Sequence, residues 1–253
     1  MKKIYVVNGA ANHGFGECTA RTLIDEGNKV IGFYSIENEE NAKKLEKEYE
    51  KSQLELFCIN RMSFNSIQNA INEINTNVDG FVNAEFMFDM EDVDNFDYEL
   101  SKDILHSNFY VPMYIAIELK KKMNKGGSIV IVTSTESDRG SFGGISYAAS
   151  KAAVHNLIKS LACNWGKNDL IRVNAVAAGW IGGEMDTDGP FEVSINITPL
   201  GRLGRAEEVA NAVSFLLSEK SSFTNAQVLY VEGGYLAVDD IAQFEYLEWK
   251  KNK

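Results

Sequence analysis

The segment Lys3-Ile4-Tyr5-Val6-Val7-Asn8-Gly9-Ala10-Ala11-Asn12-His13-Gly14-Phe15-Gly16 governs the reading of this chain. An apolar run ends in a glycine-rich turn. Residues 16–26 follow with helical spacing of Ala20, Leu23 and Ile24, and Gly27 supplies a stop. In an open parallel sheet, such a first strand-to-helix turn brings backbone N–H groups up to a pyrophosphate at a helix N-terminus. Glycine is needed where a Cβ would block that approach. The same pattern also suits a plain tight connection, so the turn alone assigns no function.

Working outward, apolar runs recur at 30–34, 54–59, 78–82, 128–133, 171–176 and 227–231. Helical patterns lie between them at 38–51, 64–75, 98–123, 145–166 and 206–218. This alternation predicts parallel strands with right-handed crossovers and helices on both faces of one sheet. Strands without strict alternation fit a sheet covered on both sides. No Pro/Ser linker, repeat or low-complexity tract divides the sequence, so residues 1–253 are read as one domain. A substrate lid is expected at about 180–200, as a loop over 182–199, with a C-terminal tail at 235–253.

Composition narrows the function. The chain has 253 residues, 45% of them hydrophobic and 24% charged, which suits a globular protein. The net charge of −11 argues against nucleic-acid binding through a broad basic face. No apolar run reaches membrane-spanning length, and the run after Met1-Lys2-Lys3 is too short for a signal peptide. Cys18, Cys58 and Cys163 are scattered and lack a C-x-x-C, which points to a reducing cytoplasm without disulfides. His13, His106 and His155 are equally dispersed, and no metal site is expected.

Ser146-Tyr147-Ala148-Ala149-Ser150-Lys151 lies near the start of a predicted helix. Tyr147 and Lys151, four apart, share one helical face. A free tyrosine titrates near 10 and exchanges protons poorly at neutral pH. An ammonium about 4 Å from a phenolate is worth roughly 4 kcal/mol at an effective dielectric near 20, or about 3 pKa units, enough to bring the phenol near 7. Ser134 closes the strand over 128–133, at the end that opens onto the ligand crevice of a doubly wound sheet. Each feature alone has a plain structural explanation: a snorkelling lysine beside a tyrosine, and a turn hydroxyl.

Together they resemble the short-chain dehydrogenase/reductase family, and within it the 3-oxoacyl-carrier-protein reductase branch. The likeness runs in order through the turn at 9–16, Asp79-Gly80-Phe81-Val82-Asn83-Ala84, Asn108, Ser134, Tyr147 and Lys151. It continues through Ile171-Arg172-Val173-Asn174-Ala175-Val176-Ala177-Ala178-Gly179, Pro199-Leu200-Gly201-Arg202-Leu203-Gly204-Arg205 and Val231-Glu232-Gly233-Gly234. The resemblance implies a Rossmann-type, doubly wound, seven-stranded parallel sheet. It implies hydride transfer between a nicotinamide and a carbonyl/secondary-alcohol pair, with a 3-oxoacyl thioester or similar ketone as substrate. A small polar or sugar-like alcohol, or a catalytically silent nucleotide-binding role, stays open. In the implied roles Tyr147 exchanges the proton, Lys151 lowers its pKa and bonds the ribose, and Ser134 holds the substrate oxygen. Asn108 anchors a proton-relaying water.

Gly9, Asn12, His13, Gly14, Phe15, Gly16, Ser35, Asn60, Asn83, Tyr147, Lys151, Gly179 and Ile181 are the implied cofactor residues. The chain departs from the family pattern in several places. Four residues instead of three separate the first two glycines, and Asn8 replaces a threonine. Asn83-Ala84-Glu85-Phe86 stands for Asn-Asn-Ala-Gly, and Ala178-Gly179 for Pro-Gly. Asn60 replaces an aspartate that often flanks adenine, and the stretch at Gly183 lacks a threonine that commonly holds the carboxamide. These departures suggest a specialised member. The second strand ends Phe33-Tyr34-Ser35-Ile36, with no acid before Glu37; with His13 in the turn, this favours NADP(H), with NAD(H) the alternative.

The glycines in the lid suggest mobility, and Glu184, Asp186 and Asp188 disfavour a strongly anionic substrate. Arg139, Arg172, Arg202 and Arg205 are candidates for docking an acidic carrier protein, against the global charge. Phe244, Tyr246, Leu247 and Trp249 are expected to pack on a neighbouring subunit of a homotetramer or homodimer.

Overall fold

The computed structural model describes residues 2–182 and 192–253. Seven strands form one all-parallel sheet: β1 (Ile4–Asn8), β2 (Lys29–Ser35), β3 (Leu54–Ile59), β4 (Val78–Asn83), β5 (Met123–Ser134), β6 (Arg172–Ala178) and β7 (Val228–Val231). Their order is β3-β2-β1-β4-β5-β6-β7. The chain winds outward from β1 to β3 and then returns to β4 on the other side of β1. That reversal opens a crevice beyond the carboxyl ends of β1 and β4.

Successive strand residues face opposite ways, so each strand feeds two cores. Val7, Val30, Val82, Val130 and Val176 pack under α1 (Phe15–Asp25), α2 (Glu39–Glu48) and α8 (Ala206–Leu217). Val6, Ile31, Phe81, Ile129 and Val173 pack under α3 (Phe64–Glu73), α5 (Val111–Lys120) and α6 (Ile145–Asp169). This is the expected Rossmann-type architecture.

Three segments differ from the sequence expectation. The pattern over 98–123 is not one helix: α4 (Tyr98–Leu105) passes through a π-helical turn (His106–Tyr110) into α5. Apolar periodicity continues through such a turn, which hides it in the sequence. The stretch read as a loop over 182–199 contains α7 (Glu192–Ile197). The tail forms α9 (Asp240–Lys251), capped by Asp239, whose carboxylate accepts from Ile241 N and Ala242 N. Gly183, Glu184, Asp186 and Asp188 lie outside the described residues. Among the described residues, no helix is long and apolar enough to cross a membrane.

Candidate active site

The glycine turn leaves β1 with Gly9 at φ +87°, a conformation that favours glycine. A Cβ on Gly16 would fall 1.8 Å from the carbonyl oxygen of Gly9, so the start of α1 lies directly against the turn. Gly14, also at positive φ, precedes α1 and offers no side-chain cap. His13 is exposed and turns to Glu17, with Nδ1 3.2 Å from the carboxylate. Asn8 Nδ2 donates to Asn83 Oδ1 at 2.8 Å, and Asn83 Nδ2 donates to the Glu85 carbonyl at 3.0 Å. These buried amides tie the ends of β1 and β4 together beneath the turn.

Ser35 ends β2 beside this turn and is buried, its hydroxyl donating to Glu85 Oε1 at 2.9 Å. Arg61 Nη1 donates to the same oxygen at 2.9 Å and lies 3.1 Å from Glu37. Asn60 is exposed, and its side-chain carbonyl accepts from Met62 N within its own turn. Glu85 and Arg61 carried no signal as site residues, because their meeting with Ser35 is made by the sheet and not by sequence spacing.

A second cluster lies at the end of β5. Ser134, Tyr147, Phe15, Gly179 and Ile181 line one cavity of about 560 Å³ together with Phe86, Phe88, Trp180 and Arg139. Tyr147 is half-buried, held edge-on by Phe88 at 5.3 Å between ring centroids. Lys151 follows one turn along α6. Its ammonium lies 5.4 Å from the Tyr147 ring centroid and the same distance from that of Phe86. It donates to the Val132 carbonyl at 3.3 Å. Burial in this apolar setting lowers the Lys151 pKa from its usual value to about 7.

Asn108 lies in the π-helical turn, where such turns often serve function. Its amide exchanges two hydrogen bonds with Met87, accepting from N at 2.7 Å and donating to O at 2.8 Å. It also donates to Ser150 Oγ at 3.2 Å, one residue before Lys151. Glu91 braces the start of α6. It is buried and accepts from Ser146 N at 2.7 Å and from Ser146 Oγ at 2.5 Å, next to Tyr147. A carboxylate at a helix N-terminus is favoured by the helix dipole. Glu91 was missed as a site residue because 55 residues separate it from Ser146.

The residues fit a dinucleotide. Asn12 Oδ1 and Glu85 Oε2, both beside the glycine turn, are buried and accept no hydrogen bond. Such orphaned acceptors are costly unless a ligand donor meets them. Chemically, the arrangement can hold a carbonyl oxygen beside two hydroxyls and a buried amine.

Comparison with known proteins agrees. The family model described as enoyl-(acyl carrier protein) reductase matches residues 9–236. A 3-oxoacyl-acyl-carrier-protein reductase of Thermotoga maritima is 32% identical over 246 residues, covering 92% of this chain and 97% of the relative. An uncharacterized short-chain type dehydrogenase/reductase of Sinorhizobium fredii is 39% identical over 131 residues; that match covers 49% of this chain and 24% of the relative's length. The structure of BdcA in complex with NADPH superposes with a TM-score of 0.83 at 23% identity, covering 91% of this chain and 93% of that one. A gluconate 5-dehydrogenase from Burkholderia cenocepacia, in complex with NADP and tartrate, gives 0.84 at 24% identity, covering 94% and 97%. These two structures carry the fold. The family-model match and the near full-length Thermotoga relative, on a sheet whose crevice brings Ser134 and Tyr147 to one cavity, establish that the chain belongs to the short-chain dehydrogenase/reductase family.

Proposed function

We propose that the protein is a nicotinamide-dinucleotide-dependent reductase of a ketone, of the 3-oxoacyl thioester type or similar. The observation that carries this reading is the single cavity shared by Ser134 and Tyr147 with Phe15, Gly179 and Ile181. The dinucleotide, when bound, supplies the hydride. Gly9, Asn12, Gly14, Gly16, Ser35, Asn83 and Lys151 would hold it. NADP(H) is the form in the two structural neighbours, which supports NADP(H) here, with NAD(H) the alternative.

The chain's own residues do the rest. Ser134 Oγ donates to the ketone oxygen and fixes it against Tyr147. The Tyr147 hydroxyl gives its proton to that oxygen as negative charge develops there. Lys151, charged, favours the phenolate left behind. Asn108, tied to Met87 and Ser150, holds the backbone behind Lys151 and anchors the proton path to solvent. Of the four arginines considered for a carrier protein, Arg172 spends its guanidinium on the carbonyls of Leu216, Leu217 and Ser218. Arg202 and Arg205 pair with Glu208. Arg139 alone of the four lines the cavity, stacked on Tyr235 at 4.4 Å. This supports a small ketone whose polar end faces Arg139 over broad docking of an acidic protein.

Fluorescence titration with NADPH and NADH, followed by a ketone panel that includes a 3-oxoacyl thioester, tests the proposal. Binding and substrate-dependent oxidation of the reduced dinucleotide are expected. No binding of either form overturns the reading. Binding without turnover across the panel assigns a silent nucleotide-binding role instead. The rate should also fall as pH rises through about 7, because Lys151 loses its proton there. The sign also shows in stability: between pH 7 and the ordinary lysine range the unfolded chain holds this proton and the folded one does not. The penalty that burying this amine places on the fold is therefore largest below pH 7 and shrinks as pH rises through that window, so stability rises with pH there. Lys151→Met should remove both dependences.

Assembly belongs to the same proposal. Ile241, Phe244, Tyr246, Leu247 and Trp249 of α9 are all exposed, with Tyr246 and Trp249 stacked at 5.8 Å. Aromatic surface of this density suits a second copy of the chain. Sizing by light scattering should give a dimer or tetramer; a clean monomer would refute the assignment.

A further inference from the structure

We infer that Glu85 and Arg61 read the adenosine ribose of the dinucleotide, and that the Glu85 charge sets how far the site tolerates a 2′-phosphate. This rests on the proposed dinucleotide reading and adds residues to it. The ends of β2, β1 and β4 lie side by side, so the turn after β4 can reach across β1 to Ser35. Glu85 does so. Its side chain is 3% exposed and spans the glycine turn, with Oε1 receiving both Ser35 Oγ and Arg61 Nη1.

The carboxylate is built in. A Cβ placed on Gly9 would lie 3.1–3.3 Å from Glu85 N, Cβ and Cα, so the Glu85 backbone is packed on the turn itself. Movement is left to the Glu85 side chain beyond Cβ and to Arg61, which is about a quarter exposed at 26%. The other carboxylate oxygen, Oε2, is buried and accepts no hydrogen bond. A ribose hydroxyl is a donor and would satisfy it; a phosphate at the same place offers no donor and adds negative charge. Arg61 lies between Glu37 and Glu85, so the three side chains sum to −1. A sugar hydroxyl meets that charge without penalty. A 2′-phosphate must draw Arg61 away from its two carboxylates. Acceptor and cation are thus placed together, and their balance selects between the two forms of the cofactor.

Dissociation constants for NADPH and NADH, measured by fluorescence on the full chain, decide the matter. Glu85→Gln keeps the shape and removes the charge. It should lower the ratio of the NADPH constant to the NADH constant about tenfold, equivalent to about 1.4 kcal/mol. Arg61→Met should raise that ratio, and it does not depend on the buried Glu85 variant folding. A common weakening of both cofactors, with the ratio unmoved in Arg61→Met and in any folded Glu85→Gln, would reduce the pair to a structural brace and overturn the inference. Wild-type protein that binds neither dinucleotide overturns the proposed function, and this inference with it.

Discussion

Tyr147→Phe should lower the rate of ketone reduction by about a thousandfold, within the 10²–10⁴ range that a positioned proton donor contributes. The dinucleotide dissociation constant should stay within about twofold of the wild-type value, well under the tenfold that 1.4 kcal/mol would produce. The substitution removes one oxygen and leaves the ring, which Phe86 and Phe88 hold at centroid distances of 6.1 and 5.3 Å. The α6 start is fixed separately through Glu91 and Ser146, so the helix has no reason to shift. Single-turnover absorbance at the nicotinamide band separates the chemical step from binding. A variant that turns over normally would remove Tyr147 from the proton-donor role, whatever its effect on affinity.

Gly16→Ala should be the most damaging single methyl in the glycine turn. The new carbon would stand 1.8 Å from the Gly9 carbonyl oxygen, which is backbone and cannot swing aside. Either α1 moves outward or the turn opens. Overpacking of this kind costs about 1–3 kcal/mol. The turn also carries Asn12, whose backbone N–H donates to Gly9 O at 2.8 Å, so displacement at Gly9 moves a residue proposed to hold the dinucleotide. Thermal denaturation should show a lowered midpoint, and titration should show dinucleotide affinity reduced at least tenfold. Gly27→Ala is the control: a Cβ there meets nothing within 4 Å, although its positive φ of +88° adds local strain. A Gly16→Ala protein as stable and as tightly binding as wild type would contradict the close packing of helix on turn.

Much of this was legible in the sequence because it is local. The first turn announces itself by glycine spacing. Tyr147 and Lys151 need only a helix to share a face. Strand alternation with helices prescribes the parallel sheet, and the strand ends then deliver Ser35, Asn83 and Ser134 to one rim. What stayed hidden depends on contacts between distant segments. Ser35 and Glu85 are 50 residues apart, and Arg61 and Glu85 are 24 apart; only the strand order brings them together. The departure at Glu85 and Phe86 from the family's Ala-Gly was visible, but not the place the Glu85 carboxylate would take. Lys151 was read as a charge that acts on Tyr147. Its own burial, which brings its titration to about 7, follows from packing that no spacing reveals.

The widened turn at His106–Tyr110 has a consequence for how this chain can vary. An α-helix advances about 100° per residue. Deleting one position there would restore regular winding and rotate Asn108 by that angle relative to α5, carrying its amide off Met87. Insertions and deletions are therefore barred from this segment even at its exposed end, Tyr110, and natural relatives that keep the proton path should keep its length and Asn108 while exchanging the exposed side chain.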